Sequence, residues 1–222
     1  MREPLASWLR TAATSLIIGA GGGGLLALGT DTFRVFTSEQ ARRNAVERAP
    51  RALPKVALED QDGRPFDLAA YHGRPVAVSF MYTGCRSVCP LASQGFERLD
   101  RAEWSRSSAG DGRLQLISVS FDPRDTPDRL REYASLYRAD GRGWRFARVR
   151  EMRDLGLLLR TFGIVVIPAP GGDFQHNAAV HLVDAEGRLA RVLDPDAAPD
   201  QVDRALADMA STRNLAAKAP AR

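Results

Sequence analysis

The sequence predicts an α/β domain with a mixed sheet, preceded by one N-terminal transmembrane helix. Three observations carry this prediction. First, residues 75–81 (PVAVSFM) form a continuous apolar strand and residues 114–121 (LQLISVSF) a second buried strand. Second, each is followed by a segment with apolar residues at helical spacing, the alternation that builds parallel α/β sheets. Third, two later strand-like runs flank Asp184-Ala185-Glu186-Gly187, a hairpin turn that makes part of the sheet antiparallel.

The elements follow in order. Residues 1–10 form a short N-terminus carrying Arg2 and Arg10. Residues 11–30 (TAATSLIIGAGGGGLLALGT) hold no charge, and twenty helical residues reach about 30 Å, the thickness of the hydrocarbon core. The two arginines before the run favour a cytoplasmic N-terminus and place the domain on the periplasmic or extracytoplasmic side of the inner membrane. Six of the twenty residues are glycine, which weakens a helix in water, whereas lipid enforces backbone pairing. A cleaved signal peptide is the rival reading, with Ala27-Leu28-Gly29 a poor cleavage site. Residues 31–52 are polar and arginine-rich without an apolar period, so a linker is expected there.

The domain is expected over 53–210. Residues 60–65 (DQDGRP) make a turn between short strands. The 75–81 strand ends at residues 82–90 (YTGCRSVCP), and the helix beyond it points Leu91, Phe96, Leu99 and Trp104 inward. After the 114–121 strand, Thr126 is an N-cap with Pro127 in the first turn, and Leu130, Tyr133, Leu136 and Tyr137 form an apolar stripe. Trp144–Val149 is a third strand. Met152, Leu155, Leu158, Leu159 and Phe162 mark a helix closed by Gly163. Strands at 178–183 and Arg188–Leu193 precede a last helix over 199–210, apolar at Val202, Leu206 and Met209. A basic tail, 211–222, is expected to be disordered.

The 222 residues are 44% hydrophobic and 26% charged, which excludes a disordered chain, a collagen and a polytopic membrane protein. Two cysteines exclude a disulfide scaffold and a self-contained four-cysteine zinc site. The net charge of +4 invites a nucleic-acid reading, but its location argues against one. Residues 1–30 carry +1, 31–52 carry +2 and 211–222 carry +3, leaving the domain at −2. No zinc finger or basic-aromatic stripe accompanies it, so no nucleic-acid partner is expected.

Cys85 and Cys89 stand where a buried strand turns into a helix, the edge at which α/β sheets collect their sites. Helix N-terminal amides favour thiolate and lower thiol pKa. Four residues apart, both sulfurs lie on one face of a helical turn, within reach of one metal ion. The same spacing can close a disulfide, so redox exchange and a structural disulfide are also open. A metal needs further donors, and the histidines are His72, His176 and His181. His72, in a turn, reads as surface. His176 and His181, five apart, would face opposite sides of a continuous strand, so one metal does not take both. Soft thiolates with imidazole suit copper, and zinc is open on ligand type alone.

These residues carry a resemblance. YTGCRSVCP (82–90), then SFDPRDTPDRLREYA (120–134), then a histidine before a strand and an Asp-x-x-Gly turn, resemble the Sco (SenC) family of copper proteins. The likeness spans about 54–206 and implies a thioredoxin-like fold behind a membrane anchor. It implies one bound copper ion, Cu(I) or Cu(II), held by two cysteines and a distant histidine. It further implies assembly of the dinuclear copper centre of cytochrome c oxidase, with subunit II or another extracytoplasmic copper protein as partner. Copper delivery by a metallochaperone and reduction of the target's cysteines are both implied roles; only the second, thiol-disulfide oxidoreductase chemistry, would make the protein an enzyme. Carried across, the ligands are Cys85, Cys89 and His176, which stands eleven residues before Gly187. His181 is then a packing or surface residue.

The chain departs from the pattern between the cysteines. Family members commonly have an acidic residue there, and this chain has Arg86, Ser87 and Val88. Arg86 adds positive charge beside the thiolates, which lowers thiol pKa and disfavours extra charge on the metal. No proline occupies the stretch Phe174-Gln175-His176-Asn177-Ala178, where thioredoxins place a cis-proline. The Gly/Pro-rich loop 168–175 is expected to be mobile without metal and to close on copper. Asp122 and Asp125 read as turn and helix-capping residues near the site.

Overall fold

The computed structural model describes residues 3–29, 38–86, 88–106 and 114–218. The chain divides into two compact units, residues 1–45 and 46–222. The first holds helix α1 (Glu3–Gly29) and the start of α2 (Ser38–Arg48). The uncharged run 11–30 is thus helical through Gly29, as expected. Among the described residues, however, no helix is long and apolar enough to cross a membrane. The six glycines add no apolar side chain to α1.

The second unit is built on an eight-stranded mixed sheet. Its strands are β1 (Arg51–Ala52), β2 (Leu58–Asp60), β3 (Pro65–Phe66), β4 (Val76–Met81), β5 (Gln115–Ser120), β6 (Trp144–Val149), β9 (Val180–Val183) and β10 (Arg188–Leu193). Their order is β1-β10-β9-β4-β5-β6-β2-β3. β4, β5 and β6 run parallel, while β9 lies antiparallel to β4 and β2 antiparallel to β6. Every residue of β4 and of β5 is buried, including Gln115, Ser118 and Ser120 of β5, and the Ser118 hydroxyl is satisfied by Ser79 and the Trp144 Nε1–H. Between them β7 (Val166–Ala169) and β8 (Asp173–His176) form a separate two-stranded hairpin.

The helices of this unit are α3 (Val88–Arg106), α4 (Pro127–Leu136), α5 (Met152–Phe162) and α6 (Pro199–Lys218). Thr126 caps α4 as expected: its side chain accepts from the Arg129 N–H, and Pro127 occupies the first turn. α5 ends at Gly163, whose φ of 70° is the left-handed conformation that terminates a helix. The core joins β4, β5, β6 and β9 to the inner helix faces, with Phe96, Trp144, Phe146 and Phe162 fully buried.

Several expectations are corrected. The linker region contains α2, a polar helix held by Glu39 pairing with Arg42 and Arg43 one turn on, a support that leaves no apolar period. The tail is not irregular from residue 211, because α6 runs on to Lys218; residues 219–222 lie outside the described residues. Leu91, Leu136 and Met152 are exposed, since they sit at the edge of their helices' apolar stripes rather than in it. Phe96, Leu99, Leu130, Tyr133, Leu158 and Val202 are buried as expected. The Trp104 side chain lies outside the described residues. The loop 168–175 is mostly hairpin: Val166 pairs with His176, Ile167 with Gln175 and Pro168 with Phe174.

Candidate metal centre

The cysteine half of the site grows out of β4. Beyond Met81 the chain leaves the sheet at Tyr82 and turns, with the Cys85 N–H donating to the Tyr82 carbonyl at 3.2 Å. Asp125, fully buried, pins this turn. It accepts from the Thr83 N–H at 2.8 Å, from the Thr83 hydroxyl and from the Ser120 hydroxyl at 2.6 Å. Asp125 is therefore not a helix cap; it fastens the turn before the cysteines to the end of β5. Cys89 lies in the first turn of α3, and its N–H donates to Cys85 Sγ at 3.4 Å. Both cysteines are free thiols and both are buried.

The histidine half comes from the hairpin. His176 ends β8, and its Nε2 lies 3.4 Å from Cys89 Sγ. Nδ1 lies 3.3 Å from the Asn177 carbonyl. A carbonyl only accepts, so Nδ1 carries the proton and the Nε2 lone pair faces the thiols. The Asn177 side chain holds this corner. Its Oδ1 accepts from the Val165 N–H at 2.8 Å, and its Nδ2 donates to the Gly163 carbonyl at 3.0 Å. The imidazole stands edge-on to Phe121 and Tyr82, at centroid distances of 4.9 and 6.3 Å.

Cys85 Sγ, Cys89 Sγ and a His176 ring nitrogen lie within 4.8 Å of one another. Among the described residues, no other group of this kind is found. Two thiols and an imidazole nitrogen form a soft three-donor set that fits a copper ion. The expectation of a lowered thiol pKa does not hold for Cys89. Its hydrogen bond with Cys85 pushes the Cys89 thiol well up, and burial and the nearby Cys85 charge add to this. Two sulfurs this close do not both ionise without a cation between them, so metal binding must release protons.

The other histidines are kept away. His181 is fully buried in β9, bonded through Nδ1 to the Val78 carbonyl at 3.1 Å and set against Phe80 and Phe162. It is a packing residue. It is separated from His176 because the two lie on different strands, not on two faces of one. His72 is exposed and sits beside Gly187, outside the group.

The sequence did not reveal what braces the hairpin. Tyr82, buried at the end of β4, donates its hydroxyl to Asp173. Asp122 grips Arg124 at 2.9 and 2.7 Å, and Arg124 reaches on to the Gly172 carbonyl at the hairpin tip. Burial alone would raise the Asp122 carboxyl, but the Arg124 side chain and N–H outweigh it and hold the carboxyl below its usual range. The Tyr82–Asp173 and Arg124–Gly172 pairs join residues far apart in sequence, and no local spacing signals them.

The SCO1/SenC family model matches residues 46–211, three quarters of the chain. The chain belongs to the SCO1/SenC family. A Stutzerimonas stutzeri protein named "Putative copper-binding protein" is 32% identical over 144 residues, covering 63% of this chain and 67% of the relative. The Sco fold itself is shared with solved structures. Bradyrhizobium japonicum ScoI with copper bound aligns with a TM-score of 0.57 and 23% identity, over 72% of this chain and 98% of that one. BsSco, described with a disulfide switch and as a member of the Sco family of cytochrome c oxidase assembly proteins, aligns with a TM-score of 0.62 and 20% identity. That alignment covers 72% of this chain and 93% of BsSco.

Proposed function

We propose that this Sco protein is a copper metallochaperone, tethered by its N-terminal helix with the domain on the extracytoplasmic side. Its cargo is one copper ion held by Cys85, Cys89 and His176. Its recipient is the dinuclear copper centre of a cytochrome c oxidase subunit II or another extracytoplasmic copper protein. The convergence of the three donor atoms within 4.8 Å carries this reading. The donors come from two elements, a strand-to-helix turn and a hairpin. A partner's ligands can therefore displace them one at a time. Tethering near a membrane-bound recipient raises its effective concentration without any new contact. The uncharged run 11–30 supports the tether.

A second reading, thiol-disulfide reduction of the target, has its own support in the reduced Cys85 and Cys89 pair and in BsSco's disulfide switch. One thiolate attacks the partner's disulfide and forms a mixed disulfide. The other resolves it, leaving a Cys85–Cys89 disulfide and two reduced partner thiols. Cys89, the more buried thiol with its ionisation suppressed, suits the resolving step.

Anaerobic copper titration of the full chain in detergent separates the two. Metallochaperone function predicts one Cu(I) per chain, lost in Cys85→Ser and in Cys89→Ser, with Cu(II) binding weakened in His176→Ala. Unchanged Cu(I) and Cu(II) binding by His176→Ala, with fast disulfide exchange by the parent, would favour the reductase.

A further inference from the structure

Beside the metal centre lies a polar cavity of about 270 Å³. Its walls include three arginines, Arg86, Arg124 and Arg129, against two aspartates, Asp122 and Asp173. The carboxylates are already engaged: Asp122 by Arg124, and Asp173 by the Tyr82 hydroxyl and the Phe174 N–H. The guanidinium groups are not all used. Arg124 spends Nε and Nη2 on Asp122 and the Gly172 carbonyl, while its Nη1 bonds no described residue. Arg129 is held by the Arg124 carbonyl at 3.3 Å and pairs with the Asp125 carboxylate at 3.8 Å. Arg86 is exposed and bonds no described residue. A guanidinium offers five donors in a plane that matches a carboxylate fork.

The cavity is also built rather than incidental. Gly171 and Gly172 both have φ of 78°, and a Cβ on Gly172 would lie 2.6 Å from Arg124 Nη1. The left-handed backbone at both positions favours glycine. Arg124 is held before anything binds by Asp122 and the Gly172 carbonyl, which lowers the ordering cost of recognition. Arg86 follows Cys85 directly in the chain, and with Tyr82 and Gly84 it places the cavity against the turn that carries the cysteines.

We propose that this cavity receives an acidic side chain of the protein that exchanges copper with the site. Arg86 and Arg124 would clamp the carboxylate, and the same two guanidinium groups would turn away basic sequences. The identity of the partner rests on the copper-transfer reading, but the binding event itself can be measured without metal.

The test uses the metal-free full chain in detergent, with backbone amide resonances of Gly171 and Gly172 as reporters. The probes are acetylated tetraglutamate amide, the matching tetralysine peptide and inorganic phosphate. Saturable shifts with tetraglutamate alone are expected, weakened at least 5-fold by Arg86→Gln and at least 20-fold by Arg86→Glu. No saturable shift, an equal response to tetralysine, phosphate binding as tight as the peptide, or unchanged affinity in Arg86→Gln would each overturn the proposal. Cu(I) stoichiometry of Arg86→Gln, measured in parallel and expected to match the parent, reports separately on the metal centre.

Discussion

The two cysteines and the histidine of the proposed copper site are held by different kinds of structure. The cysteines belong to the frame of the sheet. Their turn is fastened by Asp125, which accepts three hydrogen bonds while fully buried, and the flanking strand is buried throughout. His176 belongs to a hairpin outside that sheet, half-buried and held by a few polar ties through Asn177, Asp173 and Arg124. The difference assigns roles. The rigid dithiol is the firm half of the proposed donor set, and the more loosely held imidazole is the half that can withdraw when copper is passed on. Local opening free energies generally follow such differences in buried contact.

The comparison is broken most severely at Asp125. Replacing it with alanine leaves the Thr83 N–H and two hydroxyls without their acceptor. A loss of about 3 kcal/mol in denaturant stability is expected, together with weaker Cu(I) binding. Equal stability of Asp125→Ala and parent would show that the cysteine turn is not anchored there.

A smaller and more selective effect is expected on the histidine side. Asn177→Ala removes both side-chain bonds at the foot of the hairpin. Outer partners of metal ligands typically matter by about 10-fold in affinity, so Cu(II) affinity should fall by about that factor. Cu(I) stoichiometry should be unchanged. Loss of Cu(I) binding in this variant would mean that the histidine half is as integral as the cysteine half.

Acid should loosen the hairpin tip through Asp122. Its carboxyl titrates below the ordinary range in the folded protein, so its pairing contributes stability that is complete above the unfolded pKa of about 3.9. That contribution is lost as pH falls through the lower, folded value. Thermal unfolding between about pH 6 and pH 2 should show an acid-side decline that Asp122→Asn lacks. Parallel profiles for the two proteins would remove Asp122 from the brace.

The smallest effect concerns Tyr71, remote from both halves. Its hydroxyl is buried with no hydrogen-bond partner among the described residues, and burial pushes its pKa up. Tyr71→Phe should leave copper binding intact and hold or raise stability by up to about 1 kcal/mol. A marked loss of stability would reveal a partner for that hydroxyl.

The same contrast explains what was legible in the sequence. β4 and the turn bearing Cys85 and Cys89 are encoded locally, by an apolar run followed by a glycine and a cysteine pair. Thr126, Pro127 and Gly163 likewise mark helix ends by chemistry that acts within a few residues. His176 could be chosen over His181 only through the Sco resemblance, because its place depends on pairing with Val166 across the hairpin. Asp125 was visible as a residue near the site but not as the clasp on Thr83, forty-two residues away. α2 escaped because ion pairs rather than an apolar stripe support it.

The account rests on one copper ion meeting two sulfurs from the sheet frame and one nitrogen from the hairpin. X-ray absorption at the copper edge of the Cu(I)-loaded full chain tests this directly. Two sulfur scatterers and one imidazole nitrogen are predicted, with the nitrogen lost in His176→Ala. A sulfur-only shell in the parent, or a spectrum unchanged by His176→Ala, would contradict it.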